Sequence, residues 1–200
     1  MQHFGQNLHL NTRVKDQNQL GERDVASFNE QEIIALCKEG NRSAQKILFE
    51  RLSPKMLSIC HRYMGNMDSA EDVLQEGFIV LFSKLDTYSG EGSFEGWARK
   101  IFVNTALMTL RKNDILKQST DIDTAFGVSS SGESAVQKLS YQELLKMIAE
   151  LPAGYRTVFN MFVIEGYSHK EISEALGISE ATSRSQLQRA RVMLQNKIKK

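Results

Sequence analysis

Proline is scarce in this chain, and that scarcity is the strongest constraint on its fold. Only two prolines, Pro54 and Pro152, occur among 200 residues. Proline disrupts a helix interior because it lacks the amide proton and its ring clashes with the preceding turn. The chain also lacks long runs of alternating apolar and polar residues, the pattern typical of half-buried strands. We therefore predict an all-α protein.

Composition along the chain predicts two small helical domains joined by a flexible linker. Residues 1–27 are rich in Gln and Asn without helical periodicity, and we expect a flexible N-terminal tail. Apolar residues at helical spacing follow over 28–112 and again over 137–200. Residues 113–136 are rich in Ser, Gly and Asp, which is typical of a linker. Such a linker imposes no relative geometry, so we expect a partner to set the arrangement of the domains.

Start and stop signals divide the first domain into five predicted helices. Asn29 is placed to cap the first helix. Pro54 is expected to end the second helix near Leu52 and to begin the third. Asp68 is the expected N-cap of the fourth helix, and a fifth follows over 94–112.

Residues 167–191 of the second domain have the pattern of a helix-turn-helix. Ser168 and Glu171 are spaced as a capping box at the start of a helix. Gly177 supplies the positive φ that a tight turn between two helices needs. Ser179 is then placed to cap the next helix.

The second helix of this motif has an apolar side and a polar side. At about 100° per residue, one side collects three apolar residues, Leu187, Ala190 and Leu194. Arg184, Ser185 and Gln188 share another side, and these side-chain types suit the edges of DNA bases. Six basic residues and no acidic one lie over 184–200. A solvated charged helix is the alternative for such a charge run, but the preceding turn and helix favour DNA recognition.

A short segment of the first domain places aromatic residues beside cations. It contains the only tryptophan, Trp97, with Phe94 before it and Arg99 and Lys100 after it. Aromatic rings stack on unpaired bases while cations neutralise phosphate, so this combination is typical of single-stranded nucleic-acid binding. The alternative is that Trp97 and Phe102 belong to the core.

Several other classes of function lack their residues in this sequence. Cys37 and Cys60 lie in apolar helical patterns and are predicted to be buried thiols. The four histidines form no metal-binding motif, and no nucleotide loop or nucleophile–base pattern is present, so we expect no metal, no cofactor and no enzyme activity. An apolar run of about 18 residues, as a membrane span needs, is absent. The net charge of +1 is low for a nucleic-acid-binding protein.

Two parts of the chain resemble bacterial sigma factors of the extracytoplasmic-function (ECF) type. The stretches DVLQEGF at 72–78 and GSFEGWARKIFVNTALMTLRK at 92–112 are similar to sigma regions 2.2 to 2.4. The stretch LPAGYRTVFNMFVIEGYSHKEISEALGISEATSRSQLQRAR at 151–191 is similar to region 4. The resemblance implies a subunit without catalytic activity that joins core RNA polymerase and directs it to promoters.

The resemblance also implies which residues contact each partner. The clamp of the polymerase's largest subunit is expected to contact Asp72, Gln75, Glu76 and Phe78. The −10 promoter element is expected to contact Phe94, Trp97, Arg99, Lys100, Asn104, Arg111 and Lys112. The −35 element is expected to contact Ser179, Thr182, Arg184, Ser185, Gln188 and Arg189.

Helical spacing leaves the role of Phe78 open. Asp72, Gln75, Glu76 and Ile79 share one helix face, whereas Phe78 points elsewhere and is either a contact or part of the core. In addition, Met108 stands where many family members carry an Asp.

Core RNA polymerase and promoter DNA are the expected partners, in the cytoplasm. An anti-sigma factor is a further expected partner, since the resemblance implies that family members are often held by one. The alternative function is a stand-alone helix-turn-helix regulator that binds operators without polymerase, which would be expected to form a dimer.

Overall fold

The computed structural model describes residues 27–112 and 140–198. Every regular element within these two ranges is helical, which confirms the all-α prediction. The predicted N-terminal tail, apart from Ser27, and the predicted linker lie outside the described residues.

The first domain is built from helices joined by short connections. They are α1 (Glu30–Lys38), α2 (Arg42–Met64), α3 (Met67–Ser83) and α4 (Phe94–Lys112), with a 3-10 turn over Leu85–Thr87 after α3. Helices α2, α3 and α4 pack against one another, and α1 packs on α2. Asn29 caps α1 as predicted: its side chain accepts from the amide of Glu32, and the Glu32 side chain accepts from the amide of Asn29.

Helix α2 is continuous through Pro54, so the predicted division into two helices at this position is wrong. A proline inside a helix removes one backbone hydrogen bond and costs about 3 kcal/mol. Leu52 before the proline and Met56 after it are both buried in the same core. Burial of the residues on both sides of Pro54 offsets the cost of the proline. The sequence pattern does not show this burial.

Helix α3 begins two residues earlier than predicted. The side chain of Asn66 accepts a hydrogen bond from the amide of Ser69 at 2.9 Å, so Asn66 is the N-cap. Asp68, the predicted cap, lies in the first turn, where its charge is favourable to the helix dipole. Asn and Asp are equally good N-caps, so local sequence did not separate the two.

Aromatic rings fill the core of the first domain. The ring of Phe102 on α4 stands edge-on to Phe78 on α3, with 5.1 Å between ring centroids. Phe49 on α2, which remains 40% exposed, also contacts Phe78, with 4.4 Å between ring centroids. Gly77 permits this approach, because a Cβ built there would lie 2.4 Å from the Phe102 ring. Phe78 and Phe102 are therefore core residues.

The second domain consists of shorter helices and one long one. They are α5 (Tyr141–Ala149), α6 (Ala153–Phe159), α7 (His169–Leu176) and α8 (Glu180–Ile198). Helix α6 continues as a π-helical turn over Asn160–Ile164. In this turn the amide of Glu165 donates to the carbonyl of Asn160, five residues back, at 3.0 Å. The wider turn changes the direction of the side chains that follow it.

The two domains contact each other directly. Helices α5 and α6 both pack on α2. Val158 and Met161 of the second domain are fully buried in one apolar cluster with Tyr63 and Met64 of the first. The expectation that a partner is needed to set the relative geometry is therefore wrong for the chain by itself.

We expect Gly77→Ala to destabilise the first domain by about 1–3 kcal/mol, the usual cost of overpacking a close-packed core. The added methyl group would meet the ring of Phe102. Gly96→Ala is the matched control, because its Cβ would lie 3.7 Å from Ser93 in ordinary contact. That control should be neutral or stabilising, since alanine is the better helix former. Urea denaturation followed by circular dichroism measures both, and equal stabilities would contradict the account of the core.

Candidate nucleic-acid interface

Helix α4 exposes one long polar stripe with two apolar residues in it. Lys100, Asn104, Met108 and Arg111 are exposed at spacings of four, four and three residues, and Trp97 begins the stripe half-buried. The opposite side of α4 is buried against α2 and α3. Lys112, also exposed, extends the positive charge at the end of the helix. The stripe thus combines cations with an aromatic ring and a flexible thioether.

An aromatic cluster stands at the start of this stripe. Trp97 lies 5.5 Å from Phe94 and 5.4 Å from Tyr88, measured between ring centroids. Phe94 is only 1% exposed, so it supports the tryptophan from beneath rather than offering a surface. The hydroxyl of Tyr88 donates to the carbonyl of Gly92 at 2.9 Å and ties down the glycine-containing connection. Sequence patterns missed Tyr88, because it precedes the helix and lies outside its periodicity.

Arg99 is paired with a carboxylate of the second domain. Its Nε donates to Oε2 of Glu165 at 2.7 Å and its Nη2 donates to Oε1 at 3.1 Å. This hydrogen bonding raises the pKa of Arg99. Nη2 of Arg62 donates to the same Oε1 at 3.0 Å. The Glu165 side chain is 6% exposed, whereas that of Arg99 remains 40% exposed.

The helix-turn-helix forms with the predicted local structure. Ser168 and Glu171 exchange the two hydrogen bonds of a capping box at the start of α7. Gly177 ends α7 in the left-handed region, with a φ of 67°. The hydroxyl of Ser179 then accepts from the amide of Thr182 at 3.0 Å and caps α8. These contacts confirm the turn chemistry that the sequence predicted.

His169 connects the two helices of the motif. Its ring stacks on Phe162 with 4.4 Å between centroids, and its Nδ1 lies 2.9 Å from the hydroxyl of the buried Ser183 on α8. Burial lowers the pKa of His169 and so favours the neutral imidazole. The ring thus links α8 to Phe162 in the π-helical turn.

Helix α8 separates its apolar and polar sides as predicted. Its apolar residues Leu187, Ala190 and Leu194 are buried. Ser185 and Gln188 are exposed, and so is Arg184, which is paired with Glu180 at 3.0 Å one turn earlier. Thr182 is half-buried near the start of the helix. The exposed side carries hydrogen-bonding groups of the kinds that read base edges in the major groove.

Arg189 also braces α8 within its own domain. Its Nη1 donates to the hydroxyl of Tyr155 at 3.1 Å, and its guanidinium lies 6.0 Å from the centroid of that ring. Its residue surface nevertheless remains exposed. Arg189 therefore combines a structural contact on α6 with access to solvent.

Helix α3 exposes an acidic face with an apolar centre. Asp72, Gln75 and Glu76 are all exposed, and Ile79 next to them is 71% exposed. The shared face predicted from their spacing is thus confirmed. Phe78 is buried in the core instead and is absent from this surface. Of the two roles left open for Phe78, polymerase contact or core residue, the structure favours the core role.

Polar residues that join the two domains were missed by the sequence analysis. Arg156 on α6 and Asn160 on its π-helical extension donate to carbonyls at the end of α2. Glu165, which follows this extension directly, accepts from Arg99 of the first domain. The sequence offered one signal of this contact between the domains: polar residues inside the otherwise apolar stretch AGYRTVFNM. Their partners are remote in sequence, so periodicity did not reveal the contact.

The described ranges contain neither clustered metal ligands nor a membrane-spanning helix. Residues 27–112 and 140–198 contain no group of three His, Cys, Asp or Glu side chains that could hold a metal ion. Within the same ranges no helix is long and apolar enough to cross a bilayer. Cys37 and Cys60 are buried free thiols as predicted, and burial raises the pKa of each to about 12.

Comparison with known proteins gives matches to both domains. The family described as sigma-70 region 2 matches residues 48–115, and the family described as sigma-70, region 4 matches residues 141–194. The chain is 28% identical over 182 residues to the ECF RNA polymerase sigma-E factor of Escherichia coli, a match that covers 86% of this chain and 95% of that protein. The ECF RNA polymerase sigma-E factor of Haemophilus influenzae is equally similar, with 28% identity over 86% of this chain and 96% of its own length.

Two solved structures are similar at lower identity. One is the sigma factor RpoE in complex with the anti-sigma factor NepR from Bartonella quintana, with a TM-score of 0.46, 22% identity, and coverage of 77% of this chain and 96% of that one. The other is CnrH in complex with the cytosolic domain of CnrY, with a TM-score of 0.45, 19% identity, and coverage of 85% and 97%.

Proposed function

This chain belongs to the sigma-70 family as a factor of the ECF type, and we propose that it directs core RNA polymerase to promoters through three separate surfaces. As a sigma factor it binds core polymerase and initiates transcription at specific promoters. The observation that carries the proposal is the presence of sigma-70 regions 2 and 4 in order on the two domains. The surfaces are the stripe on α4, the polar side of α8 and the acidic face of α3.

The stripe on α4 is the proposed site for the −10 element. Trp97, which contacts Phe94 and Tyr88, would stack on an unpaired base of the melted strand. Lys100, Asn104, Arg111 and Lys112 line the path along the helix and would bind the backbone. An extruded base leaves its stack at a cost of a few kcal/mol, and stacking on the tryptophan offsets that cost.

We expect Trp97→Ala to impair promoter melting more than the initial recognition of the −35 element. The indole ring would be lost as a stacking platform, while α8 would be unchanged. Permanganate reactivity of the melted region reports open-complex formation, and a mobility-shift assay reports initial binding. Trp97→Phe keeps an aromatic face and should restore most of the melting. A permanganate footprint of Trp97→Ala identical to that of the wild type would contradict the role in base capture.

The polar side of α8 is the proposed reader of the −35 element. Arg184 suits the paired acceptors of guanine, Gln188 suits adenine, and Ser185 accommodates either kind of group. Ser179 and Thr182 lie at the start of the helix, where amides and hydroxyls contact phosphate. Arg189 would contribute a further cation at the edge of the groove. Arg184 must leave Glu180 to reach DNA, and their exposed pair is weak enough to permit this.

We expect Arg184→Ala to cost about 1–3 kcal/mol in binding and to relax selectivity at a single −35 position. The reason is the loss of one bidentate contact to a base. Lys197→Ala is the matched control, because it removes the same charge from the far end of α8. Selection from a randomised promoter library measures the preference at each position. Unchanged selectivity in Arg184→Ala would refute its role in base reading.

The acidic face of α3 is the proposed contact with the clamp of the polymerase's largest subunit. Asp72, Gln75 and Glu76 supply charge and hydrogen-bonding groups around the strongly exposed Ile79. An apolar centre with a polar rim is typical of a protein–protein contact. Phe78 would act indirectly by supporting the helix, since it lies in the core.

Charge distribution explains how a nearly neutral chain serves two partners. Cations lie on α4 and α8, whereas acids lie on α3, so the net charge of +1 hides separate surfaces of opposite sign. Few phosphates are neutralised by either DNA surface alone, and binding to DNA without polymerase should be weak. Polymerase would hold the two DNA-binding surfaces together. Once one surface binds its promoter element, the effective concentration of the other surface at its own element rises.

Sigma factors act as initiation factors, and we infer no catalytic activity for this chain. From these proposed partners we infer that it acts in the cytoplasm. An anti-sigma factor remains a further predicted partner.

Transcription with purified components tests the proposed function. Core polymerase from the same source, incubated with this chain and a genomic promoter library, should initiate at a defined set of sites that is absent without the chain. A stand-alone regulator would instead form a stable dimer on gel filtration, bind operators tightly and fail to capture core polymerase. That second set of results would overturn the proposal.

A further inference from the structure

The second domain supplies hydrogen-bond donors to the end of α2. The Arg156 guanidinium donates to the carbonyl of Tyr63 at 3.0 Å and to that of Met64 at 2.9 Å. The side-chain amide of Asn160 donates to the carbonyl of Arg62 at 2.8 Å. Carbonyls in the last turn of a helix lack partners within the helix and carry partial negative charge. Two side chains of one domain therefore complete the helix end of the other.

The same contact includes an ionic cluster centred on Glu165. Its carboxylate receives three hydrogen bonds, two from Arg99 and one from Arg62. Arg62 and Glu165 have side chains that are less than a tenth exposed, so solvent screens this pair weakly. Arg99 approaches from the cleft between the domains, whose wall also contains Lys100 and Tyr167.

The contact between the domains also carries a cost that favours reversibility. Three buried polar atoms in it, Nε of Arg62, the hydroxyl of Tyr63 and Oδ1 of Asn160, have no hydrogen-bond partner among the described residues. Such groups regain hydrogen bonds to water when the surfaces separate. The contact thus combines a buried apolar cluster with unpaired polar groups, and those polar groups favour its opening.

We propose that Glu165 masks Arg99 in the free protein by occupying the guanidinium group that promoter DNA would use. This inference rests on the proposed function and on the expectation, implied by the resemblance to sigma factors, that Arg99 contacts the −10 element. The carboxylate takes the Nε and Nη2 donors together, and that is the same forked arrangement in which a guanidinium binds a phosphate. Glu165 and a phosphate therefore compete for the same two donors.

The competition links DNA binding to the separation of the domains. A strand that takes Arg99 leaves Glu165 with only Arg62, which weakens the contact between the domains. By linkage, anything that separates the domains makes Arg99 available to the strand. Polymerase, which must place the two domains on two distant promoter elements, would supply that separation.

The direct test uses the full chain and a fluorescent single-stranded oligonucleotide that carries a −10 element. Glu165→Gln should bind this strand about five-fold more tightly than the wild type at low salt, because one cation is released to contact phosphate. Glu174→Gln is the matched control, since it makes the same charge change on an exposed position of the second domain. It should bind as the wild type does in the same anisotropy assay.

A second pair of variants separates masking from a general change in charge or packing. In an Arg99→Ala background, Glu165→Gln should leave the affinity for the strand unchanged, because the masked group is absent. A gain of the same size with and without Arg99 would overturn the proposal. An affinity of Glu165→Gln equal to that of Glu174→Gln would also overturn it.

The wild-type protein provides a measurement that does not depend on how a variant folds. The Nε–H signal of Arg99 in a nitrogen–proton NMR spectrum should shift when the oligonucleotide is added, as Glu165 is replaced by phosphate. No shift at a saturating oligonucleotide concentration would refute the competition. If these tests fail but the chain still supports promoter-dependent transcription, only the masking proposal is wrong. If the chain does not support such transcription, the proposed function itself is wrong.

Discussion

The arrangement of this protein depends on the burial of one guanidinium at the end of a helix. Arg156 donates to the carbonyls of Tyr63 and Met64 in α2 and to those of Ala149 and Leu151 beside it. Burial lowers the pKa of Arg156, and the four carbonyls compensate the charge that water would otherwise solvate. Without this contact the second domain would lose its main polar attachment to α2.

The backbone of α2 is shaped to receive this group. The helix ends at Gly65, which has a φ of 80°. A Cβ at that position would lie 2.5 Å from Nη1 of Arg156 and 2.9 Å from the carbonyl oxygen of Ala149. Glycine is thus required both by the left-handed backbone and by the close approach of the second domain. The same approach brings Glu165 to Arg99, so the contact between domains reaches the proposed DNA surface.

Much of the local structure and of the surface chemistry was predictable from short-range patterns. The capping box at Ser168, the turn at Gly177 and the two sides of α8 follow from spacings within one or two turns of helix. Predictions were wrong where neighbouring or remote residues decided the outcome. Pro54 lies inside a helix because its flanks share a core, and Phe94, expected to contact the −10 element, is buried against Trp97.

The sequence by itself determined that the chain forms two helical domains and which side chains face outwards on α3 and α8. Each of these results depends on residues a few positions apart, and helical periodicity relates such residues directly. Only the tertiary structure decided that Glu165 pairs with Arg99 and Arg62, which are 66 and 103 residues away along the chain. Contacts at that separation depend on how whole helices pack, since no local pattern relates the partners.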